Sequence, residues 1–265
     1  MDYRNSGIHY LILASLLWGT IGIVVQETNS PFVEAFIRSL TGGIVGIVIL
    51  KDRRNIFSKD LILLGIATTT IFEEIYMYSI TVIGASLSAV MLYTAPIWIF
   101  FLAKTKRIAM IIPTVMVLIG AYLVMDVPAI TVEGVALGLL SGLTYALLIV
   151  HSNSLQKKGF KDLEIIAISL LWASLSSAPL SVLYPDFSVS AIAAGIYLGL
   201  VSSLIAYLLF FAGMKRSGPL VASIASSLEP VFTIVLAWPI LGDRLNLTQL
   251  IGCALIVVSM ILVRT

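Results

Sequence analysis

The sequence predicts an all-α membrane protein, ten transmembrane helices in two inverted five-helix repeats, on three observations: its apolarity, the placement of its charges, and a repeat at one fixed spacing. Of its 265 residues, 59% are hydrophobic and 11% charged, with a mean hydropathy of +1.06. A soluble domain carries roughly 25% charged residues, so water cannot keep this surface dissolved. Sixteen basic and fourteen acidic residues leave a formal charge of +2, too little to hold nucleic acid. The single cysteine, Cys253, excludes an intrachain disulfide. A span takes about 20 apolar residues. Ten of them with short connectors use up the chain and leave no soluble catalytic domain.

The polar start, Met1 to Gly7, runs into a first span at 8–26. No small-residue cleavage site follows it, so it reads as a retained helix rather than a signal peptide. Thr28-Asn29-Ser30-Pro31 turns the chain into a second span, 31–50. A basic connector leads to a third at 60–80, and Gly84 opens a fourth, 84–103. The fifth, 108–126, ends at Val127-Pro128, which marks the boundary between the repeats, residues 1–128 and 129–265. The sixth and seventh, 132–153 and 163–183, close at Tyr184-Pro185-Asp186. The eighth, 189–213, precedes Ser217-Gly218-Pro219; the ninth, 219–240, stops at Gly242-Asp243; the tenth is 247–263.

Fourteen of the sixteen basic residues fall on one side of this arrangement: Arg4, Lys51, Arg53, Arg54, Lys59, Lys104, Lys106, Arg107, Lys157, Lys158, Lys161, Lys215, Arg216 and Arg264. The other side receives Arg244 and the acids Glu27, Asp126, Glu133, Asp186 and Asp243. An excess of Lys and Arg marks the cytoplasmic face. Both termini are therefore expected in the cytoplasm, with the chain in the cell (cytoplasmic) membrane.

A shift of 134 residues lays the third and fourth spans on the eighth and ninth: Gly65 on Gly199, Gly84 on Gly218, Pro96 on Pro230, Thr68-Thr69 on Ser202-Ser203. With five spans per half, the second half enters the membrane upside down. Inverted repeats are common in secondary transporters, whose substrate site lies near mid-membrane where the halves meet. Pro96 and Pro230 each free backbone carbonyls in the preceding turn. Such breaks are tolerated where protein or a watery cavity satisfies those groups, so these helices are expected to line the centre.

Glu34, Arg38, Glu73, Glu74 and Glu229 fall within spans. A charge at mid-bilayer costs about 3 kcal/mol on insertion scales, so each should face protein or water. Counted at about 1.5 Å per residue, Arg38 shares a depth with Glu73. An ion pair of Arg38 with Glu73 or Glu74 is expected as a structural tie, with Glu34 the competing partner one turn away. Whichever of Glu73 and Glu74 is left over would face the cavity. Trp18, Tyr93 and Trp172 lie at mid-depth, Tyr76 one turn beyond Glu73, and Tyr145 and Tyr207 somewhat off-centre. Aromatic faces around a carboxylate suit an ammonium group. Tyr10, Tyr122, Tyr184 and Trp238, near span ends, fit interfacial belts instead.

Several stretches resemble the drug/metabolite transporter superfamily, specifically its EamA-type members. They are Leu228-Glu229-Pro230-Val231, Ile240-Leu241-Gly242-Asp243-Arg244-Leu245 and Gln249-Leu250-Ile251-Gly252, with Leu17-Trp18-Gly19, Arg38, Leu92-Tyr93-Thr94-Ala95-Pro96 and Ala206-Tyr207. The resemblance covers essentially the whole chain. It departs from the pattern after the fourth span, where Ala103-Lys104-Thr105-Lys106-Arg107 replaces an acid, and Asp243 stands for the usual glutamate. Glu229 belongs to the pattern and Glu73-Glu74 does not. The resemblance implies an inner-membrane carrier of small organic metabolites.

The expected function is secondary active transport, by alternating access, of a small cationic or zwitterionic metabolite such as an amine, a choline-like compound or an amino acid. Glu73, Glu74, Trp18, Tyr76, Tyr93, Trp172 and Tyr207 are the candidate substrate contacts, and Glu229, Arg38, Pro96 and Pro230 the coupling or structural residues. The alternative is export of neutral or aromatic amino acids or drugs, by proton-coupled or facilitated exchange, with Arg38 holding a carboxylate. No cofactor, metal or nucleic acid is expected, and the partners are a small-molecule substrate and membrane lipid. Two histidines and one cysteine, with no phosphate-binding loop, leave an embedded enzyme little chemistry.

Overall fold

The computed structural model describes residues 7–28, 30–103, 108–124, 132–241 and 246–264. Arg4, Lys104, Lys106, Arg107, Asp126, Val127-Pro128, Gly242-Asp243 and Arg244 lie outside the described residues, as do the side chains of Glu27, Trp238 and Arg264. Among the described residues the fold is all helical. Its α-helices are α1 (Ile8–Trp18), α2 (Ile21–Thr28), α3 (Pro31–Ile49), α4 (Lys59–Leu63), α5 (Ile71–Leu92), α6 (Ala95–Leu102), α7 (Ile111–Val124), α8 (Val132–Lys157), α9 (Asp162–Leu183), α10 (Val189–Tyr197), α11 (Ala206–Ser217), α12 (Pro219–Ser226), α13 (Glu229–Leu241) and α14 (Leu247–Arg264). Seven stretches are long and apolar enough to cross a membrane: Ile8–Val25, Pro31–Ile49, Lys59–Gly84, Val132–Lys157, Asp162–Leu183, Val189–Ser217 and Pro219–Leu236. Ile111–Val124 and Leu247–Val263 are apolar but shorter. The fourth predicted span is not one rod. Gly84 bends the chain at φ +80°, and a turn at Tyr93-Thr94 divides α5 from α6.

Irregularities of backbone recur at the spacing of the sequence repeat. A π-helical stretch, Leu64–Thr70, joins α4 to α5, and another, Leu198–Ile205, joins α10 to α11. In the first, the Thr69 and Thr70 hydroxyls donate to the carbonyls of Leu64 and Gly65 at 3.0 and 2.9 Å, five residues back. A widened turn is thereby kept satisfied without water. Gly84 and Gly218 share one conformation, φ/ψ of 80°/157° and 89°/163°, a region only glycine occupies readily. α5 ends at Leu92 and α12 at Ser226; α6 starts at Ala95 and α13 at Glu229. Pro96 and Pro230 are each the second residue of their helix, where proline's missing N–H costs no intrahelical bond.

Packing follows the same spacing. α3 lies on α9 and α7 on α14, each pair being counterparts in the repeat, while α1 lies on α11 as α8 lies on α5. The contacts are close. A Cβ at Gly199 would sit 2.5 Å from the Arg38 carbonyl, and one at Gly42 2.8 Å from the Gly199 carbonyl. In a bilayer, where burial of apolar surface gives no preference for helix over lipid, such approach is a main source of association. α14 begins with a reciprocal cap: Asn246 Oδ1 accepts from the Gln249 amide at 2.8 Å, and Gln249 Oε1 accepts from the Asn246 amide at 3.0 Å.

Candidate functional site

Among the described residues, the α1–α2 break at Gly19-Thr20, the α12–α13 break at Ser227-Leu228 and the π-helical stretch Leu198–Ile205 border the centre of the molecule. A Cβ at Gly19 would meet the Thr233 amide nitrogen at 3.0 Å, so α1 and α13 touch at backbone distance. Carbonyls freed by the breaks find donors: Trp18 Nε1 donates to the Ser202 carbonyl at 2.8 Å, and the Ser15 hydroxyl lies 3.0 Å from the Ala225 carbonyl. Between them is a small cavity lined by Trp18, Ile21, Arg38, Phe72, Tyr76, Leu92, Tyr145, Tyr207 and Glu229. It has room for about one water molecule in this conformation.

Glu229 is the carboxylate of this cavity. It is the first residue of α13, where the amides of a helix N-terminus favour negative charge. Its side chain is buried and accepts a hydrogen bond from the Tyr76 hydroxyl at 3.2 Å. Tyr93 is buried beside it, with its hydroxyl making no hydrogen bond of good geometry. The repeat places Ala95, first residue of α6, where the second half has Glu229, so the pseudo-symmetric centre carries its carboxylate on one side only.

Arg38 is the cation of the cavity and is 2% exposed. Its Nε lies 3.3 Å from Glu73 Oε1 and donates to Ser203 Oγ at 2.6 Å. Ser39 Oγ in turn donates to Glu73 Oε2 at 2.5 Å. The pair thus bridges α3, α5 and the second π-helical stretch. Neither Glu74 nor Glu34 takes Arg38. Glu34 accepts from the Thr28 hydroxyl, and both carboxyl oxygens of Glu74 are buried without a hydrogen-bond partner.

The aromatic walls form one connected group. The Trp18 ring lies 5.1 Å from Tyr207, 5.1 Å from Phe210 and 6.3 Å from Tyr145, while Phe72 stacks on Tyr145 at 5.0 Å and on Tyr76 at 5.7 Å. Of the sequence candidates, Trp18, Tyr76, Tyr207, Arg38 and Glu229 line the cavity, and Tyr93 stands behind Glu229. Glu73 reaches the site only through Arg38, and Glu74 is not among the lining residues. Trp172 lies elsewhere: its Nε1 donates to the Ile56 carbonyl at 2.8 Å, and its ring meets Phe57 edge-on at 6.1 Å. Height along α9 put it at mid-depth, but its face of the helix turns to the 51–58 connector. Pro96 and Pro230 shape the breaks rather than line the cavity. Phe72 and Tyr145 were not among the sequence candidates. A phenylalanine in an apolar helix carries no signal of its own, and Tyr145 is set off-centre by its depth in α8.

Two matches to the model of the EamA-like transporter family cover residues 5–125 and 132–265. An uncharacterised transporter of Archaeoglobus fulgidus is 26% identical over 99% of this chain and 96% of its own. Protein PecM of Dickeya dadantii is 22% identical over 96% of this chain and 91% of its own. An uncharacterised inner membrane transporter of Salmonella typhimurium, YicL, is 24% identical over 99% and 96%. One solved crystal structure shares the fold with a TM-score of 0.82 at 21% identity, over 98% of this chain and 96% of that one.

Proposed function

Because the chain belongs to the EamA-like transporter family, we propose that it is a secondary transporter working by alternating access, with a small organic metabolite bearing an ammonium group as its substrate. The observation that carries the substrate class is the central cavity, where the buried Glu229 carboxylate stands among the rings of Trp18, Phe72, Tyr76, Tyr145 and Tyr207. A carboxylate supplies the counter-charge for an ammonium, and ring faces add cation–π attraction of about 2 kcal/mol when desolvated. The acid of the Arg38–Glu73 pair is neutralised within the protein, which leaves Glu229 as the charge free to pair with a cation.

Alternating access is supported by the recurrence of π-helical stretches, positive-φ glycines and helix breaks at a spacing of 134 residues, and by the family model matching each half. On this reading the chain has ten spans in two inverted halves, residues 1–128 and 129–265, with both termini in the cytoplasm as the Lys and Arg distribution requires. The closed cavity is one state of a cycle in which the halves rock about the site. Glu229 also carries the coupling proton. A carboxylate that is protonated no longer holds an ammonium, so proton and substrate exclude one another there and move in opposite directions.

A thermal-shift screen of the purified protein with choline, small amines, amino acids and sugar nucleotides tests the substrate class. A ligand at about 100 times its dissociation constant adds roughly 2.7 kcal/mol to apparent stability. Stabilisation restricted to ammonium compounds and lost in Glu229→Gln is expected. Stabilisation by anions or uncharged compounds that survives this substitution would overturn the reading.

A further inference from the structure

The Arg38 guanidinium is only partly used. Its Nε edge is taken by Ser203 and Glu73, but no described group accepts a hydrogen bond from either Nη. The residue is 2% exposed and lines the cavity. Buried polar groups ordinarily find partners, and the open Nη edge is the one that matches a carboxylate with two parallel hydrogen bonds. Across the same cavity stands Glu229, and among the described residues no ion pair joins it to Arg38. Two opposite charges thus face one small aromatic-walled space without satisfying each other.

We infer that Arg38 binds a carboxylate of the transported molecule through its Nη edge while Glu229 holds the ammonium, so that the substrate is an amino acid and not a simple amine. This rests on the transporter reading of the cavity. A bare amine would leave the Nη donors buried and unpartnered, and a bare carboxylate would meet Glu229 with like charge. A zwitterion satisfies both ends and brings no net charge into the membrane centre. Arg38 need not leave Glu73 to do this, since the two partners use different edges of the guanidinium. Ser203, accepting from Nε at 2.6 Å, fixes the plane in which the free edge lies.

The test uses the full-length protein in detergent and thermal shift with matched ligands: each common amino acid, its amide and its decarboxylated amine. The expected result is at least one amino acid that binds 10-fold or more tightly than its amide and its amine. Arg38→Lys keeps the charge and loses the fork; it should cost that amino acid 10-fold or more while the amine changes less than threefold. Ser203→Ala, which leaves the Nη edge in place, should retain the preference for the acid. Amines and amides binding as well as their parent acids would overturn this inference and leave the ammonium reading standing. Binding of no member of the series, acid or amine, would overturn both. Should Arg38→Lys fail to fold, the ratio of acid to amine in the wild-type protein decides alone.

Discussion

Glu73 neutralises a guanidinium that otherwise has no counter-ion in contact, with a separation of 3.3 Å at near-complete burial of both groups. Removing one partner of a buried pair leaves an uncompensated charge and costs about 3–5 kcal/mol, whereas replacing both with apolar residues of similar volume is often neutral. Glu73→Gln should therefore lower the unfolding temperature in detergent, and Arg38→Met with Glu73→Met should recover most of the loss while abolishing amino-acid binding. An equal loss in the double variant would show that the pair is not what stabilises this contact. Glu74 makes the opposite case. Its carboxyl oxygens are buried without hydrogen bonds, so Glu74→Gln should leave stability equal or higher and ligand preference unchanged; loss of ligand-induced stabilisation there would restore Glu74 to the site. These roles were half legible in the sequence. Counting residues along a helix gives height, which brought Arg38 level with Glu73, but says nothing of which way a side chain points. Glu73 and Glu74 differ by about 100° of helix rotation, and Trp172 was placed at the right depth on the wrong side of α9.

Helix breaks carry the next level of organisation. Gly84 and Gly218 hold φ near +80° to +90° with ψ near 160°, where a Cβ is strained whatever the free space. A Cβ added at either position would meet no other atom within 4 Å, so any penalty there comes from the backbone alone. Such strain costs of order 1–3 kcal/mol per residue. Gly84→Ala and Gly218→Ala should each lower the unfolding temperature by similar amounts; a loss at one site and none at the other would mean that the two bends do unequal work. These glycines and the two prolines were visible in sequence, because each residue type answers a specific backbone demand. The π-helical stretches were not. Their only trace is the run Thr68-Thr69-Thr70 and the pair Ser202-Ser203, hydroxyls able to bond a carbonyl within the same helix, and a wide turn has no hydrophobic period to announce it. The turn at Gly19-Thr20 was equally silent, since one glycine in an apolar helix is commonplace.

Taken as a whole, the molecule is tied across its halves by polar contacts at the level of the connectors. On one side Lys158 Nζ meets Asp60 Oδ2 at 2.6 Å and Asn55 Nδ2 donates to Glu164 Oε1 at 2.7 Å. On another, the Ser30 hydroxyl at the start of α3 donates to Asp186 Oδ2 in the α9–α10 connector at 2.5 Å. The charge distribution assigns the first set to the cytoplasmic face and the second to the opposite face, which no single residue of either set could reveal. If the halves rock about the cavity, the Ser30–Asp186 contact must open whenever the site is reached from that face. Exposed polar contacts are worth little, about 0–1 kcal/mol, so they can close a mouth without locking it. A covalent link in their place should lock it. In a Cys253→Ser background, Ser30→Cys with Asp186→Cys, joined by a short thiol cross-linker that a reductant cleaves, should lower counterflow in proteoliposomes at least fivefold. Reductant should restore it, and either single-cysteine variant should be unaffected by the reagent. Undiminished counterflow after complete cross-linking would mean that this face does not part during transport, and would turn the search for the moving contact to Lys158–Asp60 and Asn55–Glu164.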